Sequence, residues 1–228
     1  MAINGEEVGR LQGLVRTPVC HQKKPEFLCV IPAIVLLINN LYKREKTMTT
    51  LHPTIRDEST EDIPAITAIT ATAFATLEVS DQTEQYVIDA LRAAGALTLS
   101  LVAELDNRVV GHIAFSPVEM SDGTPGWYGL GPVSVLPEYQ RRGIGKALIV
   151  EGLSRLRNMG ARGCCLVGHP GYYTKFGFIN PAGLGMEGVT EEVFFALAFD
   201  GRMPQGAVTF HEGFKATGPQ DDNFSKTL

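Results

Sequence analysis

The chain has 228 residues, 44% of them hydrophobic and 20% charged, with a formal net charge of −5 and a pI near 5.6. That length gives one good-sized core, or one domain plus an appendage. The acidic balance argues against a general nucleic-acid binder, which needs a basic face, and suits small cationic partners better.

Residues 1–47 differ in character from the rest of the chain. They carry seven cations and four acids, leaving the remainder with a net charge of about −8. Residues 27–38, FLCVIPAIVLLI, are the one strongly apolar run. Twelve residues with a proline fall short of the roughly 20 that cross a bilayer. A signal peptide fits poorly, since three acids precede the run and NNLYKREK stands where small cleavage-site residues belong. Met48 opens MTTLHPTIRDEST, which reads as a natural start. The expected division is an appendage over 1–47 from an over-extended start site, a domain over 48–212 and a frayed tail over 213–228. A tail that packs on the domain or touches a membrane surface is the competing reading of residues 1–47.

In chain order after Met48, TIRDES reads as a short strand. Ser59 or Thr60, followed by Glu61 and Asp62, caps a helix that runs through Phe74. DQTEQYVIDALRAAG predicts a second helix, with Asp81 as cap, Tyr86, Val87, Ala90 and Leu91 at apolar spacing, and Gly95 as stop. TLSLVAEL and RVVGHIAFSPVEM flank Asp-Asn, a hairpin signal. WYGLGPVSVL is a further apolar strand. Ile144, Leu148, Ile149, Leu153, Leu156 and Met159 then give a helix its apolar face, and Gly160 stops it. GCCLVG predicts a buried strand, PGYYTKFGF a short helical turn, and EEVFFALAF and GAVTF the last two strands. Meander strands joined to one right-handed crossover predict a mixed α/β sheet with helices on both faces.

The four cysteines are Cys20, Cys29, Cys164 and Cys165. Neighbours in a strand point to opposite faces, so the last two make a poor disulfide. There is no C-x-x-C and no zinc-ligand spacing, so free thiols in a reducing cytoplasm and no metal are expected.

The stretch LPEYQRRGIGKAL puts three cations and two glycines at the start of a helix. Amides in a first helical turn lack intrahelical acceptors and sit at the positive end of the macrodipole. With Arg141, Arg142 and Lys146 beside them, and glycines that admit a ligand to the backbone, they form a phosphate or diphosphate cradle. A Walker loop is excluded because Ala147 follows Lys146. A dinucleotide fingerprint is excluded because position 148 is Leu. For the cluster alone, a solvated face with a tight turn is the better reading. What weighs against that reading is YYTKFGF about 30 residues later.

Gln140, Gly143 and Gly145 match Q/R-x-x-G-x-G/A, and Tyr173, Gly177 and Phe178 match Tyr-x-x-x-Gly-Phe. Over about residues 54–212 the chain resembles the GNAT superfamily of N-acetyltransferases, with LGPVSVLPEYQRRGIGKALI and GYYTKFGF closest to its YhbS-like bacterial branch. The resemblance implies a mostly antiparallel sheet splayed between the fourth and fifth strands. Acetyl-CoA is the implied cosubstrate. Val133, Ser134 and Val135 would bind its pantetheine arm, and Gln140, Arg141, Arg142, Gly143, Ile144, Gly145 and Lys146 its diphosphate. It also implies direct attack of an amine on the thioester in a ternary complex. An amide near Val133 would face the thioester oxygen, and Tyr173 would be the general acid with Tyr172 as second choice.

For the base, Glu119, Glu78, Glu84 and a water chain all stay open. His112 reads as a core histidine, and His169 stands where this branch often has an acid. The implied acceptor is a primary amine of a small molecule or peptide. No nucleic acid and no membrane span is expected among the partners, and a homodimer is left open. The alternative function is a non-catalytic acyl-CoA-binding or sensing domain.

Overall fold

The computed structural model describes residues 51–75 and 80–218. The expectations for residues 1–47, for Glu78 and for the last ten residues lie outside these. The elements are β1 (Thr54–Asp57), α1 (Ile63–Phe74), α2 (Glu84–Ala93), β2 (Leu99–Leu105), β3 (Arg108–Met120), β4 (Trp127–Val135) and α3 (Ile144–Asn158). They continue with β5 (Gly163–Val167), α4 (Pro170–Tyr173), β6 (Leu184–Gly185), β7 (Phe194–Ala198) and β8 (Gly206–Phe210). The expected order holds, with the two-residue β6 added. So short a strand leaves no period in a sequence. A 3-10 turn over Glu212–Lys215 buries Gly213 against α2, so folded chain continues past the expected start of the tail at 213.

The sheet order is β1-β2-β3-β4-β5-β7, with β8 on the far end of β3 and β6 on β8. All neighbours run antiparallel except β4 with β5 and β6 with β8. Asp106 and Asn107 both have positive φ, 50° and 60°, as the two-residue hairpin turn between β2 and β3 requires. On β2, Leu101 and Ala103 join the cluster beneath α3, whereas Val102 between them packs with Ile66 of α1 and Ile88 of α2. The period of two thus puts helices on both faces. Each such buried side chain contributes about 1.5–3 kcal/mol.

α3 lies close to the sheet because small residues let it. A Cβ at Gly152 would overlap the Phe115 ring, and one at Gly111 would meet Leu148 at 3.2 Å. The expected apolar stripe of α3 is buried from Ile144 to Leu156, but Met159 is 53% exposed. Met159 is the C-cap, past the last turn that rests on strands.

On the opposite face, Ser59 caps the turn leading into α1. Its amide donates to Asp62 at 2.7 Å, and the Arg56 guanidinium grips the same carboxylate at 2.6 and 3.0 Å. Arg56 holds Asp62 well below the usual carboxylate range. At α2 the cap is Thr83 rather than Asp81, and Ser80 instead donates to Glu84 at 2.6 Å.

A second polar cluster ties α2 to β1, β2 and β3. Arg92 forks onto Glu58 at 3.0 Å twice, and the Ser100 hydroxyl donates to Glu58 at 2.5 Å. Burial alone would raise the Glu58 carboxyl, but Arg92 and Ser100 outweigh it and hold it low. Ser100 has one proton and gives it to this carboxylate, so its oxygen accepts from His112 Nε2–H at 2.8 Å. His112 Nδ1 is enclosed without a partner, so the expected core histidine is only half satisfied. Burial pushes its pKa down to about 4 from 6.5, with Glu58 opposing and Arg92 adding to the shift.

Between those values the unfolded chain holds a proton that the folded chain does not. Stability therefore falls as pH drops from about 6.5 to about 4, by about 3 kcal/mol. Urea midpoints across this range should show that loss in the wild type and a flatter profile in His112→Gln. Equal slopes would count against the assignment.

Candidate active site

The β4–β5 pairing is short. Trp127, Tyr128 and Gly129 pair with Gly163, Cys164 and Cys165, and the register ends there. β4 still pairs with β3, where Val133 faces Ile113 and Leu130 faces Phe115. Gly131 and Pro132 together oppose only Ala114, which makes a bulge. Beyond the bulge Leu136 N–H donates to Val110 at 3.0 Å. Backbone groups alternate along a strand, so Val133 and Val135 turn theirs the other way, into the gap. The Ser134 side chain is buried on the α1 face, 3.1 Å from the Thr70 hydroxyl.

The gap leads to the cradle. Arg141 (φ 58°) and Gly143 (φ 92°) are both left-handed, and they curl the chain into the first turn of α3. Ala147 N–H closes that turn on Gly143 O at 2.9 Å. The amides of Gly143, Ile144, Gly145 and Lys146 therefore have no intrahelical acceptor. The Gln140 side chain turns back and donates to the Val135 carbonyl at 3.0 Å, joining strand to loop. Leu51 N–H donates to Arg142 O at 3.1 Å and fixes the loop from outside. The Arg141 and Lys146 side chains are exposed, while Ile144 is buried and serves as an anchor.

α4 closes the far side. His169 caps it, with Nδ1 accepting from Gly171 N–H at 3.2 Å. A ring nitrogen thus does the capping that a carboxylate would do there. The two tyrosines point different ways. The Tyr173 ring is 9% exposed, set against Gly168 and edge-on to Phe178 at 6.1 Å. Its phenol is pushed up to about 12, by burial first and then by Tyr172 and Cys164. The Tyr172 hydroxyl lies 3.0 Å from where a Cβ on Gly145 would stand.

A family profile described as "Acetyltransferase (GNAT) family" matches residues 63–178. The chain belongs to the GNAT acetyltransferases. It is 35% identical over 125 residues to the N-acetyltransferase YhbS of Escherichia coli, covering 54% of this chain and 72% of that protein. A GNAT acetyltransferase from Brucella melitensis, solved with acetyl-CoA, shares 52% identity at a TM-score of 0.64, over 72% of this chain and 98% of that one. Escherichia coli YhbS, solved with CoA, shares 32% identity at a TM-score of 0.65, over 74% and 95%. The mixed sheet opened between β4 and β5 is the GNAT fold expected from the sequence. No helix among the described residues is long and apolar enough to cross a membrane.

Of the acids weighed as base in this GNAT chain, Glu119 is exposed on β3 opposite Thr209 of β8. Glu84 sits in the first turn of α2, which packs against β4, and its second oxygen is enclosed without a partner. Sequence reasoning passes over the bulge, although Gly-Pro inside a strand is a signal for one. It also passes over Gly168, which makes room for the Tyr173 ring, and over the space that Gly145 leaves for the Tyr172 hydroxyl. Replacing Gly143 by Val forces a branched side chain into a left-handed position, at a cost of about 1–2 kcal/mol. A matching fall in the urea midpoint checks this, and an unchanged midpoint would mean the loop relaxes freely.

Proposed function

We propose that the chain transfers the acetyl group of acetyl-CoA to a primary amine of a small molecule or peptide, in the cytoplasm. The observation that carries this reading is that the β4–β5 pairing stops after Gly129 and Cys165, and that the first turn of α3 beyond the end of β4 holds amides without intrahelical acceptors. Family membership and the acetyl-CoA and CoA complexes of the Brucella and Escherichia coli relatives support it.

In this reading the amides of Gly143 to Lys146, with Arg141, Arg142 and Lys146, hold the diphosphate. The gap-facing backbone of Val133 and the Val135 amide pair with the pantetheine arm, while Ser134 braces β4 from behind. Gln140 positions the loop. The Val133 amide stabilises negative charge on the thioester oxygen.

The amine nitrogen attacks the carbonyl carbon, the C–S bond breaks, and the sulfur takes a proton. Tyr173 supplies it. Its hydroxyl makes no hydrogen bond among the described residues, so its proton is free to pass to the departing sulfur. The proton that the ammonium loses passes to Glu84, to Glu119 or to a water chain, the acceptors that stay open.

Thiol release from acetyl-CoA against a panel of amines, amino acids, polyamines and peptide N-termini tests the reading. Release with at least one amine is expected. Binding of acetyl-CoA with no release on any acceptor would favour the sensing alternative. Tyr173→Phe should lower kcat about 10²-fold or more with CoA affinity nearly intact, and Arg142→Ala should weaken CoA binding. Equal turnover in wild type and Tyr173→Phe would remove the acid assignment.

A further inference from the structure

Two adjacent tyrosines on one short helix invite a division of labour. Tyr173 is turned into the sheet, against Gly168, Phe178 and Phe195. Tyr172 is turned outward, edge-on to Phe176 at 5.5 Å, with Lys175 Nζ 6.0 Å from its ring centre. Its hydroxyl reaches across to α3 and stops 3.0 Å from the place a Gly145 Cβ would fill. Gly145 is the second residue of α3, inside the turn whose amides lack acceptors.

The hydroxyl has no hydrogen-bond partner among the described residues, yet its oxygen is not one of the enclosed unpartnered atoms. It therefore faces open space at the mouth of the cradle. An O–H held there has a proton to give and no protein acceptor to take it. Its ring is fixed by Tyr173 on one edge and Phe176 on the other, so little freedom is lost when it binds.

We infer that the Tyr172 hydroxyl donates a hydrogen bond to the diphosphate of the CoA moiety, closing the backbone cradle from the α4 side. This rests on the proposed cosubstrate. It also gives Gly145 a second purpose. The position must be small both to admit a phosphate oxygen to the backbone and to leave room for the Tyr172 hydroxyl. A hydrogen bond to a charged acceptor is worth more than a neutral one, so losing it should weaken binding by about 10-fold.

The test is calorimetric titration of wild type, Tyr172→Phe, Gly145→Ala and the double variant with CoA and with 3′-dephospho-CoA. Matched thermal midpoints would show that Tyr172→Phe remains folded. The expected result is an approximately 10-fold weaker Kd for Tyr172→Phe with both ligands, because both keep the diphosphate. In the Gly145→Ala background the same change should cost less, since the added methyl crowds the hydroxyl and shifts it from its place.

An unchanged Kd in Tyr172→Phe overturns the inference. So does a loss seen with CoA and absent with 3′-dephospho-CoA, which would put the hydroxyl on the 3′-phosphate. Additive effects in the double variant would overturn its placement beside Gly145. Failure of the wild type to bind either ligand would bring down the cosubstrate reading and this inference together. Normal wild-type binding with an unaffected Tyr172→Phe brings down the inference alone.

Discussion

The architecture turns on one interrupted pairing. β4 and β5 leave each other after Gly129 and Cys165, in the middle of a sheet whose other joints continue. An unpaired backbone amide in a buried place costs about 1–3 kcal/mol, so a protein opens its sheet only where something else will satisfy those groups. Here the opening is held from both sides. β4 keeps its ladder to β3 as far as Val135, and β5 pairs along its whole length with β7. The bulge at Gly131 and Pro132 supplies the change of direction, and Pro132 brings no donor to be stranded. The gap is thus a stiff slot between two anchored strands.

Everything that meets at the slot is positioned by packing further off. α3 presents its first turn at the end of β4 because Gly152 lets the helix settle onto Phe115 and Gly111 lets Leu148 approach the strand. A larger residue at either position would lift the helix and carry the cradle with it. On the other face, α1 and α2 are held by charge as well as by Ile66 and Ile88. Arg56 joins β1 to Asp62 and Glu104, and Arg92 joins α2 to Glu58. These half-buried clusters keep α2 across the sheet. The unpartnered Nδ1 of His112 is a cost of placing a polar cluster beneath helices, and it makes the fold acid-sensitive.

How much of this can be read in the residues depends on the range of the interaction. The hairpin at Asp106–Asn107, the stripe of α3 from Ile144 to Leu156 and the stops at Gly95 and Gly160 are local, set by φ preference and by period, and appear where expected. The cradle is local too, since a helix start exposes its own amides whatever surrounds it. The cap of α2 differs from expectation because Ser80, Thr83 and Glu84 arrange among themselves, and Asp81 is left out. β6 is unreadable because its two residues are a strand only by virtue of β8. The orientation of the tyrosine pair is tertiary in the same way. Nothing in PGYYTKFGF says which ring turns inward until Gly168 and Gly145 are seen opposite them.

That difference has a chemical logic. The proposed cosubstrate end is assembled mainly from main chain, and main-chain geometry is governed by Gly, Pro and helix starts, which a sequence displays openly. The proposed acceptor end draws on side chains from separate elements, and no short spacing encodes where they meet. The acetyl donor is therefore legible from the short stretch LPEYQRRGIGKAL, whereas the acceptor has to be found by assay.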